Sequence, residues 1–164
     1  MHTILEAGAA DAALIAPLFD AYRRFYNQAP ALEACRTWLH ERLSRGQATV
    51  YVAFVPASTR TDELPLCAAD QRGIPAGLTV LYPTFSSVSL TPRITLNDLF
   101  VDPAFRRLSL ARQLLLRCML HATQENAQLQ LITSNTNTPA QALYAAVGWT
   151  RDDQRQRWTW TPPG

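Results

Sequence analysis

Apolar positions recur along the chain in two rhythms. Leu14, Ile15, Leu18, Phe19, Tyr22, Phe25 and Tyr26 keep helical spacing, which predicts a helix capped by Asp11 and running to about Tyr26. Leu32, Cys35, Trp38, Leu39 and Leu43 form the apolar side of a second helix, Ala31 to Arg45, with Pro30 before it and Gly46 ending it. Strands are predicted over His2–Glu6, over the β-branched and aromatic run Thr49–Val55, over Ala76–Tyr82 and over Arg93–Val101. Residues 56–65 are polar with two prolines and read as a surface loop, after which Leu66–Ala69 resumes a strand and Asp70–Gly73 makes a hairpin-type turn. A third helix is predicted over Ser109–Asn126 and a short strand over Leu129–Thr133. A fourth helix holds Pro139 in its first turn and stops at Gly148. Arg155–Thr161, with Trp158 and Trp160 alternating, closes as a strand.

The order β-α-α-β-β-β-α-β-α-β, without repeats, predicts one domain over residues 1–164 in the α/β (α+β) class. Tyr82–Leu90 is longer than a simple hairpin needs. Its aromatics and hydroxyls fit either a working loop or a surface connection with two anchoring rings.

Composition narrows the function classes. With 48% hydrophobic and 17% charged residues the chain is globular rather than disordered. No apolar run reaches membrane-spanning length, and the start lacks a basic region followed by an apolar stretch. A cytoplasmic protein without membrane contact is expected. A net charge of +2 is a weak signal for nucleic acid, and none is expected as a partner. Cys35, Cys67 and Cys118 are odd in number and far apart, and the histidines form no ligand pattern, so neither a disulfide framework nor a metal site is expected. Cys118, among leucines, reads as packing. The 15 basic residues are all arginines, and Arg106, Arg107, Arg112 and Arg117 cluster on one turn and helix.

That cluster follows the most informative stretch. Leu96 to Pro103 reads as a strand ending in an Asp-Pro turn, and Arg106 to Leu115 as an arginine-rich turn opening a helix. The junction presents unpaired N–H groups and the positive end of a helix, a site for an anion and above all a pyrophosphate.

Arg106, Ser109 and Ala111 stand at the fixed positions of the pattern Arg/Gln-x-x-Gly-x-Gly/Ala, Arg106 and Ala111 with residues it allows. Asn137-Thr138-Pro139-Ala140-Gln141-Ala142-Leu143-Tyr144, followed by Gly148-Trp149, matches Asn-x-x-Ala-x-x-Leu-Tyr…Gly-Phe. With these two ordered motifs, residues 77 to 150 resemble the Gcn5-related N-acetyltransferases, the GNAT superfamily. The resemblance implies a mixed central sheet of about six to seven strands flanked by about four helices. It implies acetyl-coenzyme A as co-substrate. Backbone N–H groups of Arg107, Leu108, Ser109, Leu110, Ala111 and Arg112 would hold its pyrophosphate, with the Arg106 or Arg107 side chain in support. Leu99, Phe100 and Val101 would pair with its pantetheine amides.

Ser109 departs from the pattern, which usually has glycine there. If the position needs φ > 0, the strain is on the order of 1 kcal/mol. Tyr144 is implied as the acid for the leaving thiolate, its phenol having a pKa of about 10. Asn137 caps its helix or bonds the pantetheine arm. Asp98, an acid in a strand, is a candidate base or a site for the acceptor's ammonium; pairing with a buried arginine or capping a bulge is the alternative. The loop around Tyr82 and the acidic strand resemble the branch that acetylates small amines, including polyamines and thialysine. Tyr82, Phe85 and Tyr26 are then expected at the acceptor, with Tyr22 and Trp38 as further walls or as core. The expected partners are acetyl-coenzyme A and a small primary amine or amino acid, with a homodimer left open. The rival reading is a domain that binds acyl-coenzyme A without turnover.

Overall fold

In a computed structural model, which describes residues 2–59, 61–154 and 157–162, the chain forms nine regular elements. They are β1 (Thr3–Ala7), α1 (Ala12–Phe25), α2 (Leu32–Ser44), β2 (Thr49–Val55), β3 (Ile74–Ser86), β4 (Thr91–Val101), α3 (Leu110–Gln124), β5 (Gln128–Leu131) and α4 (Thr138–Ala146). Short 3-10 turns at Ala9–Asp11 and Pro103–Phe105 precede α1 and follow β4. The chain divides into two compact units, Met1–Ile132 and Thr133–Gly164.

The first unit is a mixed sheet in the order β1-β2-β3-β4-β5, antiparallel except between β4 and β5. Its central strands are apolar on both sides because helices cover both faces. Ile15, Leu18, Phe19 and Leu39 of α1 and α2 pack on Val50, Val52, Leu78, Val80 and Phe100. On the opposite face, the Cys118 thiol of α3 donates to Thr79 Oγ1 at 3.4 Å, and the Arg117 guanidinium lies 4.2 Å above the Tyr51 ring. Cys118 is thus a packing residue, fully buried. Gly77 is required where β3 meets β4: a Cβ there would stand 2.9 Å from the Phe100 carbonyl oxygen. In the second unit, Asn137 Oδ1 accepts from the Ala140 N–H at 3.4 Å and caps α4, Pro139 lies in the first turn, and Gly148 (φ +93°) follows its end.

Several expectations need correction. Tyr82–Leu90 is not a loop: β3 continues to Ser86 and only residues 87–90 turn, with Leu90 at φ +54°. The two strands extend each other as a hairpin arm, and Pro83 and Pro92 are tolerated where few ladder donors are needed. Leu66–Ala69 forms no strand. Asp11 does not bond the first turn of α1. Its carboxylate accepts from the Gly8 N–H at 2.9 Å and pairs with Arg72 at 2.6 Å, and that guanidinium holds its pKa below the ordinary carboxylate range. Five strands are present among the described residues, fewer than expected. Of the expected last strand, Arg155 and Gln156 lie outside the described residues, and Arg157–Thr161 carries no strand.

Candidate active site

The turn after β4 is built around Asp102, which is 1% exposed. Its N–H donates to the Ala76 carbonyl at 2.9 Å, tying the strand end to β3. Its two carboxylate oxygens accept from the Ala104 N–H at 3.0 Å and the Leu66 N–H at 2.8 Å. Buried Phe105 and Leu110 pin the two ends of the following segment. Between them the backbone alternates: Arg106 is extended (φ −65°, ψ 163°), while Arg107 (φ +64°) and Ser109 (φ +59°, ψ 18°) are left-handed.

Left-handed residues between right-handed and extended ones turn successive N–H groups the same way and form an anion-binding concavity. Among the described residues, the N–H groups from Arg107 through Arg112 find no acceptor. The first internal bond of the segment is Gln113 N–H to the Ser109 carbonyl at 3.1 Å. The side chains of Arg106, Arg107 and Arg112 are exposed and form no ion pair among the described residues. Leu108 is half-buried.

Next to this concavity β4 has an open edge. β5 pairs only with Arg93–Leu96, so from Asn97 to Val101 the side of β4 away from β3 has no strand partner among the described residues. Leu99, Phe100 and Val101 therefore present main-chain groups that an extended amide-bearing ligand can pair with.

The same place holds a bulge. Val80 faces Asp98 and Leu81 faces Leu96, so Asn97 is an extra residue on β4. Strict alternation would put Leu96 and Asp98 on one face. The extra residue instead sends Leu96 with Leu81 toward α3, and Asp98 with Val80 and Phe100 toward α1 and α2.

Asp98 is 4% exposed there. Burial pushes its pKa above the ordinary carboxylate range, against hydrogen bonding from Tyr22 and from Asn97, whose Nδ2 donates at 3.0 Å. Burial and the Asp98 charge raise the pKa of Tyr22, which keeps its phenol proton. Tyr82 is shifted the same way for the same reasons, with Arg42 acting in opposition.

Further rings pack on the two tyrosines that interact with the carboxylate. Tyr22 meets Phe100 edge-on at 6.3 Å and Tyr26 at 5.2 Å; Trp38 stacks on Phe19 at 5.1 Å and meets Tyr82 edge-on at 6.3 Å. A buried anion among aromatic rings suits an ammonium, which gains both the charge and the ring faces.

The structure thus brings Asp98, Tyr82, Tyr26, Tyr22 and Trp38 together in the first unit. Phe85 is not among them. As part of a strand it lies three positions from Tyr82 and points to the opposite face; it is 84% exposed beside a groove lined by Pro92, Arg93 and His121. In the second unit Asn137 is the helix cap, the Tyr144 ring lies 6.0 Å from that of Trp149, and the backbone N–H of Trp149 donates to the Tyr144 carbonyl at 3.0 Å.

Asn97 and Asp102 support the site without belonging to either sequence motif. An Asn-Asp pair inside a strand was the available signal for the bulge, since both residue types are depleted in regular strands.

The model of the acetyltransferase (GNAT) family matches residues 18–149. The chain is 37% identical over 150 residues to an uncharacterized N-acetyltransferase, YhfO, of Bacillus subtilis (strain 168), covering 91% of this chain and 90% of that protein. The crystal structure of a probable acetyltransferase superposes with a TM-score of 0.83 at 31% identity, over 99% of both chains. An aminoglycoside acetyltransferase from an uncultured soil metagenomic sample shares the fold, with a TM-score of 0.74 at 16% identity over 99% of this chain and 97% of that one.

Proposed function

The chain belongs to the GNAT family of acetyltransferases, and we propose that it moves an acetyl group from acetyl-coenzyme A directly to the primary amine of a small molecule or amino acid. The observation that carries this reading is the run of N–H groups from Arg107 to Arg112 that lack acceptors, set beside an open strand edge and a buried carboxylate. The donor set fits the coenzyme. Clustered N–H groups and the start of α3 match a diphosphate, Arg106 and Arg107 add charge, and Leu99–Val101 match the pantetheine amides. When bound, the coenzyme supplies an acetyl group activated as a thioester.

The remaining work falls to the protein. Asp98 holds the acceptor's ammonium and takes its proton, directly or through a water, because an alkylammonium cannot attack until it is neutral. Its raised pKa suits it to that transfer. Tyr22 and Asn97 fix the carboxylate, and the rings of Tyr26, Tyr82 and Trp38 bound the acceptor. A backbone N–H at Leu99 or Phe100 is assigned to the thioester oxygen. Asn137 and Tyr144 are assigned on their sequence motif, Tyr144 as the acid for the departing thiolate. Residues 1–164 are read as one catalytic domain.

The test is thiol release from acetyl-coenzyme A across a panel of amines and amino acids, with mass detection of the acetylated product. Transfer to at least one primary amine is expected. Tight coenzyme binding with no turnover on any acceptor would reject the reading.

A further inference from the structure

The aromatic wall that begins at Asp98 ends in a cation. Arg42 lies one turn beyond Trp38 on α2, and its guanidinium stands 5.8 Å from the centre of the Trp38 ring, the ring that meets Tyr82. Tyr82 follows Val80 by two positions on β3, and Val80 faces Asp98, so Tyr82 and Asp98 share a sheet face as diagonal neighbours. The order across the wall is therefore Asp98, Tyr82, Trp38, Arg42.

Only part of the guanidinium is used. Nη2 donates to Glu41 at 3.0 Å, whereas Nε is buried without a partner and Nη1 has no acceptor among the described residues. Glu41 is its immediate chain neighbour and 46% exposed, so that pair is solvent-screened and weakly held. The side chain of Arg42 is 30% exposed, open enough to meet a ligand.

A plain alkylamine uses only the Asp98 end of such a wall. We infer that the acceptor carries a carboxylate as well as its amine, and that Arg42 reads that carboxylate as the specificity-determining residue of the acceptor site. The inference rests on the acetyltransfer reading above and narrows its substrate class to aminocarboxylates. A guanidinium suits this task because its planar fork matches a carboxylate in two parallel hydrogen bonds.

The experiment compares matched acceptors that differ only in the carboxylate: alanine with ethylamine, 4-aminobutyrate with propylamine, lysine with cadaverine. The ratio of kcat/KM within each pair is measured for the wild type, R42K and R42M, with coenzyme affinity and melting temperature recorded for each protein. The wild type is expected to favour the acid in at least one pair. In R42M that preference should fall by about 10- to 100-fold, chiefly through KM for the acid, as for loss of a charge-assisted contact. R42K, which keeps the charge without the fork, should fall between; it also answers the question should R42M fail to fold. A wild type that prefers the plain amine in every pair, or variants with an unchanged ratio, overturns the role of Arg42 while leaving acetyltransfer standing. Coenzyme binding with no acetylation of any acceptor overturns both.

Discussion

Ser109→Gly perturbs the one position where this chain departs from the glycine of its family's pattern. Ser109 has φ +59° and ψ 18°, a conformation that costs an L-residue roughly 1–2 kcal/mol and glycine almost nothing. Glycine returns about 0.4–1 kcal/mol of that through the greater freedom of the unfolded chain. The net expectation is a folded state more stable by up to about 1.6 kcal/mol, a melting temperature higher by up to about 6 °C in a domain of this size. Ser109 is exposed in the middle of the donor run, so losing its Cβ also opens the approach of a diphosphate. Acetyl-coenzyme A should then bind as tightly or up to about tenfold more tightly, the equivalent of about 1.4 kcal/mol. Calorimetric titration and a thermal melt read the two effects, with S109A as the control that keeps the strain and removes only the hydroxyl. A melting temperature lowered by several degrees, or coenzyme affinity lowered about tenfold in S109G, would refute the reasoning, because the hydroxyl would then outweigh the backbone.

Other substitutions probe the remaining parts. Asp98→Asn should lower kcat/KM for the acceptor by about 10²-fold or more in steady-state assays. It should also stabilise the fold: a carboxyl whose folded pKa is raised opposes folding when charged, so the gain in melting temperature should be full above the raised pKa and shrink as pH falls through it toward the ordinary carboxylate value. Tyr144→Phe should slow turnover at least about tenfold with unchanged coenzyme affinity, and equal turnover would remove Tyr144 from the chemistry. Asp102→Ala strips the acceptors from two N–H groups at a buried site and should cost about 2–4 kcal/mol by denaturant titration.

The helices and the strand–turn–helix junction were legible because they rest on local signals. Helical spacing from Leu14 to Tyr26, the glycine after α2 and the proline in the first turn of α4 each act within a few residues. What escaped was set by pairing. The length, aromatics and hydroxyls of the 82–90 stretch suggest a loop, yet Tyr82, Thr84 and Ser86 find register partners in Thr95, Arg93 and Thr91. A loop in that stretch would allow Phe85 at the acceptor site, since face assignment by alternation applies only to a strand. Asp98 was recognised as unusual, but its orientation depends on the extra residue at Asn97, a property of two strands together. Asp11 was assigned to its own helix because its partner Arg72 is remote in sequence. The final tryptophans suggested alternation, but Trp158 and Trp160 are largely exposed and lie in no strand.

The most direct test follows the main-chain amides of Arg107 to Arg112 by nitrogen-15 NMR during titration with acetyl-coenzyme A, and again with acetyl-pantetheine, which lacks the diphosphate. If this segment grips the diphosphate, those amides shift strongly with the full coenzyme and little with the truncated one. Saturating coenzyme that leaves the Arg107–Arg112 amides unmoved would contradict the account.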